Sequence, residues 1–211
     1  TKLQTPTIPL LLAEKIYNKK YKTILIYLHL DGQPVDNSKW NQNNPYEPVL
    51  KSRNDKQEFV QVRWDVLKNI TLEEIEENDL RIFARSVSDA KGPVMMLINA
   101  LNLIKKNNIE PKFNLKIIMD FEEEKSSPNL PVAVTKYSDL LKSDGLLIFD
   151  GPQHISGLPT LSFGNRGIST IRLTTYGPIV PQHSGHFGNY APNPVFRMSS
   201  VLSSMKDENG I

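Results

Sequence analysis

The chain has 211 residues, of which 39% are hydrophobic and 23% are charged. This length and apolar fraction suit a folded chain with a real core and exclude a disordered one. A net charge of +2 offers no concentrated basic surface, so we predict no nucleic-acid partner. Since the chain has no cysteine, disulfide scaffolds and thiolate metal sites are excluded as well. No apolar run approaches the roughly 20 residues that span a bilayer; we expect a cytoplasmic protein without a membrane partner.

Three apolar runs predict the strands of a parallel sheet. Residues 23–28 form a short, nearly continuous apolar run rich in β-branched residues, which is typical of a strand buried on both faces. Residues 113–119 and 145–149 have the same character. Helices are predicted between them at 93–106, where apolar residues recur at helical spacing, and at 132–141. This alternation predicts an α/β domain with a mostly parallel sheet and flanking helices.

Other stretches lack these continuous apolar runs. Residues 32–55 are rich in Asn, Pro, Gln and Ser and predict a long loop, a kind of segment that is usually functional or disordered. Residues 168–176 partly alternate and predict a half-exposed antiparallel strand, and a helix is predicted at 194–205. We therefore expect one domain over residues 1–165 and the start of a second over 166–211.

Acidic and imidazole side chains fall at the ends of the predicted strands. His29 and Asp31 follow the first strand, and side chains two residues apart share a strand face. Asp89 lies in the turn before the helix at 93–106, the glutamates 122–124 follow the second strand, and Asp150 ends the third. Since the carboxyl ends of the strands line the ligand crevice of an open α/β sheet, four segments could deliver these groups to one edge.

These residue types point to divalent cations. Imidazole and carboxylate ligands without thiolate suit Zn²⁺ or Mn²⁺. A carboxylate that bridged two ions would make a two-metal hydrolytic centre, in which water ionises near neutral pH. Each signal alone is weak, because His-x-Asp pairs arise by chance and an Asp at a strand end is usually a turn or capping residue. Their coincidence at the ends of several elements carries the prediction.

Four motifs extend the pattern along most of the chain. The first is His29-Leu30-Asp31 with the loop that follows it, which includes Gln33-Pro34-Val35-Asp36, Trp40 and Pro45-Tyr46-Glu47-Pro48. The others are Ser88-Asp89-Ala90-Lys91-Gly92-Pro93, Glu123-Glu124-Lys125-Ser126-Ser127 and Phe149-Asp150. Together they resemble the co-catalytic zinc metallopeptidases, the family of carnosinase-type dipeptidases, glutamate carboxypeptidase and aminoacylase or acetylornithine deacetylase. The resemblance implies a zinc-peptidase-like catalytic domain, followed by the start of an α+β lid or dimerisation domain.

The resemblance also implies metal ligands. His29 and Asp150 would bind one metal, Glu124 would bind the other, and Asp89 would bridge both. Asp31 would orient the His29 ring and fix its tautomer, as metal-bound histidines generally require. The implied cofactors are two Zn²⁺ ions per full-length chain, with Mn²⁺ as the alternative.

The implied reaction is hydrolysis of an amide bond in a dipeptide or an N-acyl amino acid by a water that two metals activate. Glu123 would be the general base, which takes a proton from this water and passes it to the leaving amine. His183 would bind the carbonyl oxygen of the substrate; in relatives the corresponding histidine often comes from the partner subunit. A homodimer formed through the lid domain is therefore implied for the complete protein.

Two points remain open at the level of sequence, namely whether the chain is a fragment of an enzyme or a non-catalytic descendant, and which substrate class it would act on. The family's final metal histidine lies far downstream of the motifs, so we expect this chain to be a fragment of a family member, with the lid cut midway. The alternative is a truncated, non-catalytic descendant that keeps the fold as a binding or interaction module. A flavodoxin-like domain would need a phosphate-binding glycine turn after a strand, whereas Gly92 stands alone. The choice between dipeptidase, carboxypeptidase and deacylase is not determined.

Overall fold

Strands form the centre of the protein in a computed structural model that describes residues 1–152 and 154–210. In chain order they are β1 (Lys2–Leu3), β2 (Leu10–Lys15), β3 (Thr23–His29), β4 (Val49–Arg53), β5 (Phe59–Val62), β6 (Arg81–Phe83), β7 (Asn114–Asp120) and β8 (Gly145–Ile148). The helices are α1 (Leu72–Glu77), α2 (Gly92–Lys106), α3 (Leu130–Lys136), α4 (Ser138–Leu141), α5 (Ser184–Phe187) and α6 (Pro194–Ser203).

The main sheet has five strands in the order β1-β2-β7-β3-β8. β3 pairs in parallel with both β7 and β8, and long connections that contain helices join these strands along the chain, as parallel pairing requires. β1 and β2 add to the other edge in antiparallel pairings. The α/β class is thus confirmed, and parallel pairing is confined to the three strands that the sequence predicted.

The predicted helices are confirmed with one difference. The helix predicted at 93–106 is α2, but the one predicted at 132–141 is divided into α3 and α4. The division falls at Tyr137, whose backbone angles (φ −112°, ψ 24°) are not helical. A hydrophobic pattern continues across such a break, so periodicity alone does not reveal it.

The long loop predicted at 32–55 is wrong at its end, where β4 forms. β4 is the centre of a second, antiparallel sheet with the order β5-β4-β6. Charged residues do part of its packing: the amine of Lys51 lies 4.8 Å from the centre of the Phe83 ring, and the guanidinium of Arg53 lies 4.6 Å from that of Phe59. Because cations that cover aromatic rings serve here as packing residues, the strand lacks a clear apolar pattern.

The core lies on both faces of the five-stranded sheet. On one face α2 packs against β3 and β7, with the buried cluster Ile26, Leu28, Val94, Leu97, Leu115 and Ile117. On the other face α3 and α4 cover β1, β2 and β7, with the cluster Leu3, Leu10, Leu12, Ile118, Ala133 and Leu141. Adjacent residues of β7 point to opposite faces, as the pleat requires. This sandwich fixes the carboxyl ends of the parallel strands at one edge.

The chain divides into two compact units, Thr1–Gln153 and His154–Ile211. In the described part of the second unit, residues 154–210, the predicted helix at 194–205 is confirmed as α6, but the strand predicted at 168–176 is wrong. Ile168 and Ile171 are 89% and 71% exposed. A strand needs a paired neighbour, and the described residues of this unit supply none. The assignment of residues 166–211 to a lid domain stays a prediction.

A helix that could serve as a membrane span is absent from residues 1–152 and 154–210. The cytoplasmic location expected from the sequence stays a prediction.

Candidate metal centre

The carboxyl ends of β3, β7 and β8 lie side by side. β3 ends at His29, whose register partner on β7 is Asp120. Directly after β8, the backbone N–H of Phe149 donates to the carbonyl of Tyr27 at 3.1 Å, which brings the next residue, Asp150, to the same edge. The sheet therefore delivers His29 and Asp150 to one place, as the strand-end argument predicted.

His29 is fully buried, with 0% of its surface exposed. Its Nδ1 lies 3.2 Å from Oδ1 of Asp31. Since an ionised carboxylate only accepts hydrogen bonds, Nδ1 carries the proton and donates it. In the neutral ring this leaves Nε2 unprotonated, with its lone pair directed away from Asp31.

Two carboxylates approach this Nε2 from the other side. Oδ1 of Asp89 lies at 3.0 Å and Oδ1 of Asp150 at 3.8 Å. One ligand atom from each of the three residues lies within 4.8 Å of those of the other two. Nε2 of His29 is nevertheless buried without an aligned hydrogen bond. A neutral imidazole lone pair and two anionic oxygens repel one another unless a positive charge lies between them.

Asp89 reaches this position from a tight turn, Val87–Lys91, that leads into α2. Its backbone (φ −114°, ψ 94°) is not helical, and its peptide bond to Ala90 is cis. The turn closes on Gly92, where a Cβ would lie 2.4 Å from the carbonyl oxygen of Val87. Only glycine permits this approach, so the Asp89 turn depends on it.

The paired glutamates follow β7 in the short helical turn Glu123–Lys125. The backbone N–H of Glu124 donates to Oδ2 of Asp31 at 3.1 Å, and its carboxylate accepts a hydrogen bond of 2.6 Å from Nε2 of Gln33. Asp31 therefore joins two predicted ligand segments, since its other oxygen contacts His29. The carboxylate of Glu124 is not one of the three groups that cluster at Nε2 of His29.

Burial raises the pKa of the Glu123 carboxyl above its usual range. The neighbouring His29 opposes this shift, whereas the charges of Asp150, Glu124 and Asp31 add to it. Glu123 therefore belongs to the same electrostatic environment as the three clustered groups. A carboxyl group with a raised pKa in such a setting suits general acid–base work.

Burial by itself would lower the pKa of His29, but the hydrogen bond that the ring donates to Asp31 and the charges of Asp150, Glu123 and Asp89 outweigh it and raise the pKa above its ordinary value. The carboxylates thus favour a second proton on the ring, at Nε2. A divalent cation at Nε2 would replace that proton and satisfy the same charges.

The clustered groups fit a divalent cation on two observations. The first is the buried Nε2 of His29, for which the described residues supply no hydrogen-bond partner. The second is the donor set of one imidazole and two carboxylates, which is a usual ligand set for Zn²⁺ and is compatible with Mn²⁺. Three protein ligands also leave coordination positions open.

Sequence reasoning missed a buried polar network behind the glutamate turn. Asp120 and Glu122 are 2% and 8% exposed. Oδ1 of Asp120 accepts from the backbone N–H of Glu122 at 2.9 Å, and the carboxylate of Glu122 accepts from Nδ2 of Asn129 at 2.5 Å. This network anchors the turn that presents Glu123 and Glu124. A run of three glutamates gives no signal that the first of them is buried.

His183 lies in the second unit, at the residue that precedes α5. Its Nδ1 accepts a hydrogen bond from the backbone N–H of Gly185 at 3.1 Å, and its ring centre lies 5.0 Å from that of His186. This contact caps a short helix. The substrate-binding role that the resemblance implies for His183 stays a prediction.

The fold and the cluster define an α/β protein with a candidate divalent-cation centre at the carboxyl edge of its sheet. A sequence model of peptidase family M20/M25/M40 matches residues 60–170, which is more than half of the chain. The chain belongs to this family, which confirms the resemblance inferred from its motifs.

Curated relatives and solved structures agree with this assignment. The chain is 28% identical to a cysteinylglycine-S-conjugate dipeptidase of Corynebacterium striatum over 89% of its own length and 35% of the relative's. It is 27% identical to the human β-Ala-His dipeptidase, over 97% and 36% of the two lengths. Its fold matches an M20 family metallo-carboxypeptidase from Sulfolobus solfataricus with a TM-score of 0.62 at 25% identity, over 99% and 41% of the two chains.

Human carnosine dipeptidase 1 matches with a TM-score of 0.51 at 25% identity, over 96% of this chain and 38% of that one. The chain thus spans little more than a third of the length of the relatives it matches.

Proposed function

We propose that the protein of which this chain is a part is a metal-dependent hydrolase that cleaves the amide bond of dipeptides or N-acyl amino acids. The observation that carries the proposal is the buried Nε2 of His29, which faces Asp89 and Asp150 at 3.0 and 3.8 Å without a hydrogen bond. The names of the relatives, two dipeptidases and a metallo-carboxypeptidase, support the reaction class.

In this proposal His29, Asp89 and Asp150 hold one divalent cation, and Asp89 and Glu124 supply ligands to a second. Zn²⁺ is the preferred ion and Mn²⁺ the alternative. When bound, such cations polarise the substrate carbonyl and bring the pKa of water close to neutrality. Asp31 keeps Nδ1 of His29 protonated, so that Nε2 remains available as a ligand.

Glu123 moves the proton. Its half-buried carboxylate accepts a proton from the attacking water as the water oxygen bonds to the carbonyl carbon. It then donates this proton to the amide nitrogen as the carbon–nitrogen bond breaks, which releases a free amine and a carboxylic acid that gives up the second proton of the water to solvent. Burial, which raises the pKa of Glu123, brings it closer to the pH at which proton transfer in both directions is efficient. In the complete protein, His183 would bind the substrate carbonyl oxygen from the partner subunit of a homodimer.

The test is a Glu123→Gln variant of the full-length gene product, assayed on dipeptides and N-acetyl amino acids with Zn²⁺ or Mn²⁺. Hydrolysis should fall by at least about 100-fold, because general base catalysis contributes 10²–10⁴-fold. The metal content should stay at the wild-type value, since Glu123 is not a proposed ligand. Undiminished hydrolysis in Glu123→Gln would remove the base assignment. Wild-type protein that binds cations but cleaves none of these substrates would favour the non-catalytic alternative.

A further inference from the structure

The loop that follows Asp31 is attached to the turn before Asp89 through one arginine. Nη2 of Arg85 donates a hydrogen bond to the carbonyl of Pro34 at 3.2 Å, and its guanidinium carbon lies 5.3 Å from the centre of the Trp40 ring. The backbone N–H of Arg85 donates to the carbonyl of Pro45 at 2.7 Å. Arg85 therefore contacts this loop near its start, at its middle and near its end.

Arg85 makes these contacts without an acidic partner among residues 1–152 and 154–210. None of the ion pairs among the described residues includes it. Its Nε is enclosed and finds no hydrogen-bond partner in the part of the chain that the structure describes. Burying part of a guanidinium with one unsatisfied donor costs free energy. The hydrogen bond to Pro34 and the stacking on Trp40 offset part of this cost.

The residue before Pro34 contacts a proposed metal ligand. Nε2 of Gln33 donates to Oε2 of Glu124 at 2.6 Å, from a residue 91 positions away in the chain. Proline fixes its own φ and restricts the conformation of the residue before it. A hydrogen bond that holds the carbonyl of Pro34 therefore also limits the movement of Gln33.

We propose that Arg85 and Gln33 are positioning residues that together hold the carboxylate of Glu124 in place, next to the backbone N–H of the same residue that donates to Asp31. Arg85 fixes the Pro34 carbonyl, and Gln33 transmits this constraint to Glu124. Neither residue touches the reacting atoms. The proposal rests on the proposed function only because it takes Glu124 to be a cation ligand. The two hydrogen bonds, from Arg85 to Pro34 and from Gln33 to Glu124, do not require a bound ion.

The first test uses the full-length gene product in the presence of a chelator and measures amide hydrogen exchange by peptide. Arg85→Met should increase exchange in the loop over residues 32–48 and in the turn over residues 121–127. Gln33→Met should increase exchange in that turn alone. Gln33 is exposed, so this variant folds. The matched controls are Lys39→Met, which removes a charge from the same loop, and Gln61→Met, an exposed site on β5.

The second test is a Zn²⁺ titration of the same proteins by calorimetry. Gln33→Met should weaken binding at the site that contains Glu124 by about 10-fold, the usual loss when a partner of a metal ligand is removed. Arg85→Met should weaken it by less. The double variant should bind no more weakly than Gln33→Met, because Arg85 acts through Gln33. The two control variants should bind Zn²⁺ as the wild type does.

The two tests separate the possible failures. If neither variant changes exchange in the turn, the positioning role is wrong, whatever the chain binds. If exchange changes as expected but wild-type protein takes up no Zn²⁺, the link between Arg85, Gln33 and Glu124 stands and the proposed function fails. If the double variant loses as much affinity as the two single variants together, the two residues act independently, and the proposal that Arg85 acts through Gln33 is wrong.

Discussion

Nε2 of His29 and Oδ1 of Asp89 lie 3.0 Å apart, although one residue ends a central strand and the other belongs to an irregular turn before α2. The histidine is fully buried, whereas 66% of the Asp89 side chain is exposed. Asp89 therefore has one oxygen directed at the buried ring and further acceptor capacity toward solvent. This arrangement leaves room for the bridging role that we propose for Asp89.

We predict that Asp89→Asn abolishes the binding of both cations. The amide has the shape of the carboxylate but only one acceptor oxygen, and it carries no charge, so it cannot bridge. Metal content measured by atomic emission after dialysis should fall from two ions per chain to none.

Asp150→Asn is the control for that experiment, because Asp150 is assigned to one cation only. It should lose a single ion and keep the other. If Asp89→Asn also lost a single ion, Asp89 would be an ordinary ligand of one site and the bridging assignment would be wrong.

The pH dependence of the cation-free protein should reveal the raised pKa of His29. The hydrogen bond that the ring donates to Asp31 and the charges of Asp150, Glu123 and Asp89 favour the protonated ring more strongly in the folded protein than in the unfolded chain. This stabilisation is fully present below the unfolded pKa, about 6.5, and is lost as the pH rises through the higher folded value. In chelator, Tm should therefore fall as the pH rises above about 6.5.

His29→Gln should flatten this part of the profile, and His154→Gln, at an exposed histidine of the second unit, should leave it unchanged. The raised pKa of Glu123 acts with the same sign, but its window begins near the ordinary carboxyl value of 4.5, so measurements above pH 6.5 report mainly on His29. A Tm that rises across this range would contradict the assignment.

The central fold and half of the site could be predicted because both follow from strand periodicity. Apolar runs located β3, β7 and β8, and the rule that the carboxyl ends of parallel strands share an edge predicts that His29 and Asp150 lie together. The position of Asp89 also followed, since the residues before Pro93 had to form the entry to α2.

The rest of the fold and of the site depends on contacts between distant residues, which leave no local pattern in the sequence. Arg85 and Pro34 are separated by 51 residues, and Gln33 and Glu124 by 91. No periodicity connects such pairs, because each contact is set by how two loops pack. β4 was not predicted for a related reason. Its charged residues Lys51 and Arg53 pack on aromatic rings from other strands, so its sequence does not show the alternation of apolar and polar residues that is typical of a strand.

A buried amide is predicted to stabilise the connection between β2 and β3. Asn114 is 3% exposed; its Oδ1 accepts from the backbone N–H groups of Tyr17 and Asn18 at 2.9 and 3.1 Å, and its Nδ2 donates to the carbonyls of Asn18 and Tyr21. Asn114→Ala should lower the free energy of unfolding by about 2–3 kcal/mol, since it leaves part-buried backbone groups unpaired. Asn107→Ala, at an exposed residue that makes one such bond, should cost less than about 1 kcal/mol in the same urea titration. Equal losses would show that the Asn114 network carries no special stability.

Gly32 is predicted to set the distance between the two ligand segments. It follows Asp31 directly, and a Cβ built on it would lie 1.8 Å from Oγ and 3.2 Å from Cβ of Ser86, which is itself only 7% exposed. Gly32→Ala should therefore push the loop after β3 away from the turn that carries Asp89. We expect a loss of about 1–3 kcal/mol of stability, the usual cost of overpacking, and weaker Zn²⁺ binding in a calorimetric titration.

The effect of Gly32→Ala should be reversed by a second change at Ser86. Ser86→Gly removes both clashing atoms, and the nearest remaining contact, Cδ of Arg85 at 3.5 Å, is ordinary van der Waals contact. Ser86 also has φ 63°, a left-handed conformation that glycine adopts without strain. The double variant should therefore regain most of the stability and the Zn²⁺ affinity that Gly32→Ala loses. If it remained as impaired as the single variant, the glycine would be needed for a reason other than its close approach to Ser86.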